Sequence, residues 1–288
     1  MHDLVHDLAC SVSKSEGFMN MDGRTADDNL QVRHLAIESI GEETRKDIKE
    51  RASYLRTLFL RRSIPDEILP NFKHLHSLKL RRANIKELPT SIGELKHLRY
   101  LDVSNNHGLT TLPESVCKLY NLQTLRILGY YRLPRIPRDL QFLICLRHLC
   151  FRTDCNDFEM PPKIGTLSCL QTLPVFCVSD KEGCRIDELG KLKNLKGELQ
   201  IRNLELVSGK TEAEYADMAG KLNIYKLHYH WKSTDSSESN INDESVLEGL
   251  QPHEKLKGLT IQGFRDRTKN SHKWYYKTIA KSGKKRCT

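Results

Sequence analysis

An α/β solenoid of short parallel strands is the fold class that this sequence predicts, and three observations predict it. Leucine recurs at Leu75, Leu98, Leu122, Leu146 and Leu170, in steps of 23, 24, 24 and 24 residues. Each opens a pattern that is apolar at its first, fourth and sixth places: Leu75-x-x-Leu78-x-Leu80, Leu98-x-x-Leu101-x-Val103, Leu122-x-x-Leu125-x-Ile127, Leu146-x-x-Leu149-x-Phe151 and Leu170-x-x-Leu173-x-Val175. A second half-repeat keeps the same period: Leu88-Pro89-x-x-Ile92-Gly93, Leu112-Pro113-x-x-Val116, Ile136-Pro137-x-x-Leu140 and Met160-Pro161-x-x-Ile164-Gly165. A fixed period in the 20s with this pattern is the signature of a leucine-rich repeat solenoid. Each repeat then supplies a strand, a turn and a return. Proline marks the return, because it fixes its own dihedral and cannot donate to a ladder. The strands line one concave face and the convex side is irregular or helical. The leucines point into a shared core that no single repeat could bury alone.

The elements follow in order. Residues 1–14 predict a helix, with Leu4, Val5, Leu8 and Val12 on one stripe. Glu16 to Asn29 is polar and reads as a loop. Val32 to Ile37 is an irregular opening repeat, and Leu55-x-x-Leu58-x-Leu60 is the next strand, preceded by the charged segment Glu42 to Arg51. The regular array covers 72–178. From 179 to 264 the pattern loosens. Leu199-Gln200-Ile201 reads as a strand, Thr211 to Lys221 as a helix, and Ile224 to Trp231 as a strand. Ser233 to Asp243 reads as a polar loop, Glu244 to Leu250 as a short helix, and Leu256-x-x-Leu259-x-Ile261 as the last strand. Residues 31–264 are thus expected to be one repeat domain. It has no polar terminal cap of the kind solenoids need.

Composition removes several function classes. No run reaches the ~18 apolar residues that cross a bilayer, and the N-terminus lacks the basic start and apolar core of a signal peptide. The net charge of +9 belongs to one end: residues 265–288 hold nine Lys and Arg against Asp266 alone, a net +8, leaving about +1 elsewhere. That distribution suits a solvated, disordered tail rather than a nucleic-acid face. Nine cysteines without a Cys-x-x-Cys pair are too sparse for a disulfide scaffold. Cys145, Cys150 and Cys155 flank His148, but alternate strand positions face opposite sides, so no zinc set is expected.

Two motifs have plainer readings. Ser208-Gly209-Lys210-Thr211 stands where a phosphate-binding loop would, yet Leu204 takes the place of the required first glycine, so a turn into a helix is expected. His2 and His6 are spaced for one helix face, but Asp3 replaces the Glu of the metalloprotease pattern. No nucleophile–base pair stands out, so no enzyme is expected.

Met1-His2-Asp3-Leu4-Val5-His6-Asp7-Leu8-Ala9 resembles the Met-His-Asp motif that ends the nucleotide-binding region of plant intracellular immune receptors of the coiled-coil class. The resemblance continues through Val32-Arg33-His34-Leu35, Leu98 to Asp102, the Leu-Pro-x-x-Ile half-repeats, Leu170 to Phe176, Glu188-Leu189-Gly190, Leu195 to Leu199, and Leu227 to Trp231. It implies that 1–30 is a short helical remnant of a winged-helix domain with its linker. It also implies that the chain corresponds to the C-terminal part of such a receptor. By resemblance His2 would contact ADP. The nucleotide-binding loop itself is not in this sequence, so no cofactor is expected for this chain, although the family uses ADP and ATP.

The expected function is therefore a non-catalytic interaction module in plant defence. It would recognise a pathogen effector or a guarded host protein and restrain an intramolecular nucleotide-binding region, in the cytoplasm. The alternative is a free-standing intracellular repeat scaffold in signalling. The concave positions flanking the strand leucines are the candidate partner face: Ser77, Lys79, Arg81, Tyr100, Asp102, Ser104, Thr124, Arg126, Leu128, His148, Cys150 and Arg152. Four bases against one acid suit an acidic partner. No membrane or nucleic-acid partner is expected.

Overall fold

The computed structural model describes residues 18–19, 33–37, 49–50, 52–61, 66–130, 136–152, 158–232 and 240–264. The chain divides into two compact units, Met1–Pro137 and Arg138–Thr288. The expected helix over 1–14, His2, Cys155, residues 233–239 and the basic tail 265–288 lie outside the described residues.

Among the described residues, the first unit stacks six parallel strands in sequence order: β1 (Phe18–Met19), β2 (His34–Ile37), β3 (Thr57–Leu60), β4 (Ser77–Lys79), β5 (Tyr100–Asp102) and β6 (Thr124–Ile127). The strand β1 falls inside the stretch expected to be a loop; its backbone pairs Phe18 with His34 and Met19 with Leu35. The repeat period sets the register, aligning Leu35, Leu58, Leu78, Leu101 and Leu125 across the sheet. All five are buried, as are the opening leucines Leu75, Leu98 and Leu122. Burying one such side chain contributes about 1.5–3 kcal/mol, so the column of leucines is the main source of cohesion.

The proline half-repeats become 3-10 segments, Thr90–Glu94 after Pro89 and Glu114–Lys118 after Pro113. Their glycine is explained by close approach: a Cβ on Gly93 would lie 2.7 Å from the Ser115 carbonyl oxygen. Between strand and return the chain turns tightly, with Arg82, Asn84 and Asn105 at positive φ.

The second unit contains β7 (His148–Phe151), β8 (Val175–Cys177), α1 (Asp187–Lys191), β9 (Gly197–Arg202), α2 (Lys210–Glu214), β10 (Ile224–His230), α3 (Asn240–Gly249) and β11 (Gly258–Gln262). The strands β8 to β11 form a parallel sheet in the order β11-β10-β9-β8. Leu199, Leu227 and Leu259 align across it, as do Phe176, Ile201, Tyr229 and Ile261, and all are buried.

Three expectations need correction here. Leu170 to Val175 is not a continuous strand: Thr172 makes an isolated bridge to His148, and pairing resumes only at Val175. Pro174 stands between them and has no N–H for a ladder, while its carbonyl accepts from the Gln200 N–H at 2.9 Å. The helix expected over Thr211–Lys221 is the shorter α2. After Glu214 the chain tightens into i→i−3 bonds, and Asp217 at φ +48, a left-handed conformation, stops further helix. Conversely, α3 begins at Asn240, inside the segment expected to be a loop, and carries the buried Asp243 in its first turn. An acid there complements the helix dipole.

Two buried charges tie the return elements together. Glu188 of α1 accepts from the Gly165 N–H at 2.8 Å and pairs with Lys191. Lys221 is 1% exposed and donates to the Leu189 carbonyl at 2.7 Å and the Leu192 carbonyl at 3.2 Å, satisfying the C-terminal end of α1. Burial pushes the Lys221 ammonium down to about 8.

Candidate protein-interaction face

Alternation along each strand sends its second and fourth residues into the core and the others to the opposite face. In the first unit this builds two rows. Thr57, Ser77, Tyr100 and Thr124 are register partners, and so are Phe59, Lys79, Asp102 and Arg126. The second row is prearranged by its own contacts. The Lys79 ammonium lies 4.1 Å from the Phe59 ring centroid and 5.6 Å from that of Tyr100. Such cation–ring contacts hold a long side chain in place. The Tyr100 hydroxyl donates to Asp102 Oδ2 at 3.3 Å, and Arg126 Nε lies 3.6 Å from the same oxygen. Asp102 is nearly buried, and its other oxygen accepts from the Ser104 N–H at 3.0 Å. The only acid of the row is thus held from within, while Lys79, exposed Arg81 and the exposed Phe59 remain on the surface.

Not every candidate reaches that surface. Ser104 is buried, and its hydroxyl oxygen accepts from the Leu128 N–H at 3.0 Å, so it supports the turn. Beside it stands Asn106, which the leucine pattern does not predict. Its Nδ2 donates to the Leu80 carbonyl at 2.7 Å and the Val103 carbonyl at 2.6 Å, and its Oδ1 accepts from Ile85. It fixes the turns that present Arg81 and Ser104. Tyr130 reaches the same Val103 carbonyl from the next repeat with its hydroxyl, and burial pushes that phenol up to about 12.

A separate basic edge leads into β4 and β5. The ring centroids of His74 and His76 lie 5.7 Å and 6.5 Å from that of His97. Burial and then Arg99 and Arg56 hold His76 below the usual imidazole range.

In the second unit the candidates His148, Cys150 and Arg152 lie on β7 and just beyond it. His148 Nδ1 shares a hydrogen bond of 2.9 Å with Thr172, across the bridge. Cys150 is half-buried and Arg152 exposed. The structure adds a face that the candidates omit. Gln200, His228 and Thr260 form one row on β9, β10 and β11, and Cys177, Arg202, His230 and Gln262 form the next. Below them Glu198 and Lys226 pair at 3.1 Å. The sequence carries a signal for this face: Glu198-x-Gln200-x-Arg202 and Lys226-x-His228-x-His230 alternate polar residues with buried Leu199, Ile201, Leu227 and Tyr229. The leucine pattern misses it because Lys196 takes the first place before β9, and on β10 and β11 the pattern marks only the buried positions. Among the described residues no three His, Cys, Asp or Glu side chains converge as a metal set, and no helix is long and apolar enough to cross a membrane.

Comparison with known proteins fits this architecture. Residues 31–159 match the family described as a leucine-rich repeat region, and residues 186–280 the family described as R13L1/DRL21 LRRs. The disease resistance protein RGA2 of Solanum bulbocastanum is 34% identical over 269 residues, covering 92% of this chain and 25% of its own length. RGA1 of the same plant is 36% identical over 264 residues, covering 92% of this chain and 24% of its own. The RPP13-like protein 1 of Arabidopsis thaliana is 31% identical, covering 93% of this chain and 27% of its own. The chain therefore spans about a quarter of the length of these relatives. Among solved structures, that of PEPR1 with AtPEP1 matches with a TM-score of 0.50 at 20% identity, over 84% of this chain and 33% of that one, and it shows the fold alone. By its repeats and by these relatives, the chain belongs to the leucine-rich repeat disease-resistance proteins of plants.

Proposed function

We propose that this chain is a cytoplasmic protein-interaction module of plant defence, without catalysis of its own. Its strand faces recognise a pathogen effector or a guarded host protein. In a full-length receptor they also restrain the nucleotide-binding region that His2 belongs to by resemblance. The observation that carries the reading is the Phe59–Lys79–Tyr100–Asp102–Arg126 network. It is a solvent-facing patch of rings and cations, held on a rigid sheet by its own contacts. Aromatic and basic side chains fixed before binding lose little entropy on docking. Membership of the disease-resistance family supports the role, and the excess of base over acid supports an acidic partner surface.

The test is the double substitution Lys79→Glu and Arg81→Glu in the full chain. The expected outcome is severalfold weaker co-precipitation with a nucleotide-binding region of the receptor class supplied as a separate polypeptide. Far-ultraviolet circular dichroism should be unaltered. Undiminished co-precipitation overturns the assignment of this face.

A further inference from the structure

The row Cys177–Arg202–His230–Gln262 of the second unit holds two polar atoms with nothing to bind. Arg202 Nε and His230 Nδ1 are both buried and both lack a hydrogen-bond partner. Leaving a buried donor unpaired is unfavourable, more so when it is charged. The two residues are register partners on adjacent strands, hence roughly 5 Å apart along the ladder direction, which one carboxylate can bridge. The guanidinium makes one hydrogen bond on this face, from Nη2 to Gln200 Oε1 at 3.3 Å, a neutral partner.

We propose that Arg202 and His230 form the carboxylate-binding centre of a second interaction surface, and that its occupant is an acidic segment of a protein partner. Charge complementarity selects that occupant. Lys226 is neutralised by Glu198, so the excess charge of the face is Arg202, with His228 and His230 able to add to it. From β11 only Thr260 and Gln262 share these rows, and neither is charged. The nearby acid is Glu205, whose Oε2 is engaged by the Lys232 N–H at 2.8 Å. From β8 the row receives Cys177, whose thiol burial pushes up to about 11, so it is neutral. Burial, with Lys226 acting on His228 and Arg202 on His230, holds both imidazoles below their ordinary range. A docked carboxylate favours the imidazolium and reverses that direction. Binding therefore strengthens as pH falls from 7.5 towards 5.5.

The test uses the full chain and hexaglutamate as probe. Wild-type protein is expected to bind the peptide and to shift the His230 imidazole titration upward, followed by NMR. Arg202→Gln and His230→Gln should each weaken binding about tenfold, the loss of one charge-assisted hydrogen bond. Arg202→Lys keeps the charge but removes Nε, and should also weaken binding, which keeps the test readable if Arg202→Gln does not fold. Absence of binding, equal affinity in the Arg202 and His230 variants, or an unmoved His230 titration each overturns the proposal. Lys79→Glu, on the first unit's face, should leave the His230 shift intact. Failure here is thereby separated from failure of the reading above, on which this proposal does not rest.

Discussion

Asn106 shows how much one side chain outside the leucine pattern can carry. It satisfies two carbonyls and one N–H that burial has cut off from water. Asn106→Ala removes the partner of the Leu80 carbonyl and of the Ile85 N–H, while Tyr130 still donates to the Val103 carbonyl, and should lower stability by about 2–4 kcal/mol, read from the urea midpoint. A periodic reading overlooks this residue because the position is not filled alike in every repeat. Eight places after the opening leucine stand Ala83, Asn106 and Tyr130 in turn. Only in the second unit does Asn203 return, at positive φ, donating to the Val178 carbonyl at 3.1 Å. Lys221 gives a pH prediction at the same scale. Its folded value of about 8 lies below the ordinary 10.5. Between those values the unfolded chain binds more protons, so stability should rise as pH increases from about 8 to 10.5. Lys221→Met should remove that rise in urea titrations repeated across the range.

At the scale of the element, the prolines and glycines of the half-repeat have distinct tasks. Pro89 and Pro113 hold extended dihedrals that lead into the 3-10 segments. Gly165 lets a neighbouring element approach. A Cβ there would lie 2.7 Å from the Glu188 carbonyl oxygen and 2.8 Å from Glu188 Oε2. Both are backbone or buried partners that cannot move away cheaply. Gly165→Ala should therefore cost about 1–3 kcal/mol by overpacking and by loosening the Gly165–Glu188 bond, measured as a fall in thermal midpoint. The half-repeats were legible as returns from Leu-Pro-x-x-Ile-Gly alone. Their close contacts were not, since Glu188 lies 23 residues on from Gly165 in another element. Pro174 was equally visible in the sequence, yet its consequence depends on which strand edge the missing N–H faces.

At the scale of the molecule, a solenoid transmits stability mainly between neighbouring repeats. A cavity in the first unit should therefore stay local. Leu125→Ala, at a fully buried position, should cost about 2–5 kcal/mol. Amide exchange should rise in β5 and β6, while β9 and β10 keep their protection. Uniform loss of protection in both units would contradict this nearest-neighbour behaviour. The sequence by itself determined the repeat, the parallel stacking and the identity of the core leucines, because a period of 24 residues with a two-residue strand alternation leaves one way to bury them. It also determined the family. Only the tertiary structure decided which polar residues between those leucines stay available. Ser104 and Asp102 have the sequence positions of face residues, but packing turns them into supports. Arg202 and His230 lie where the pattern has loosened, yet strand register brings them side by side with Arg202 Nε and His230 Nδ1 unpaired. The reason is physical: hydrophobic burial is periodic along the chain, whereas hydrogen-bond satisfaction depends on neighbours that only the folded register supplies.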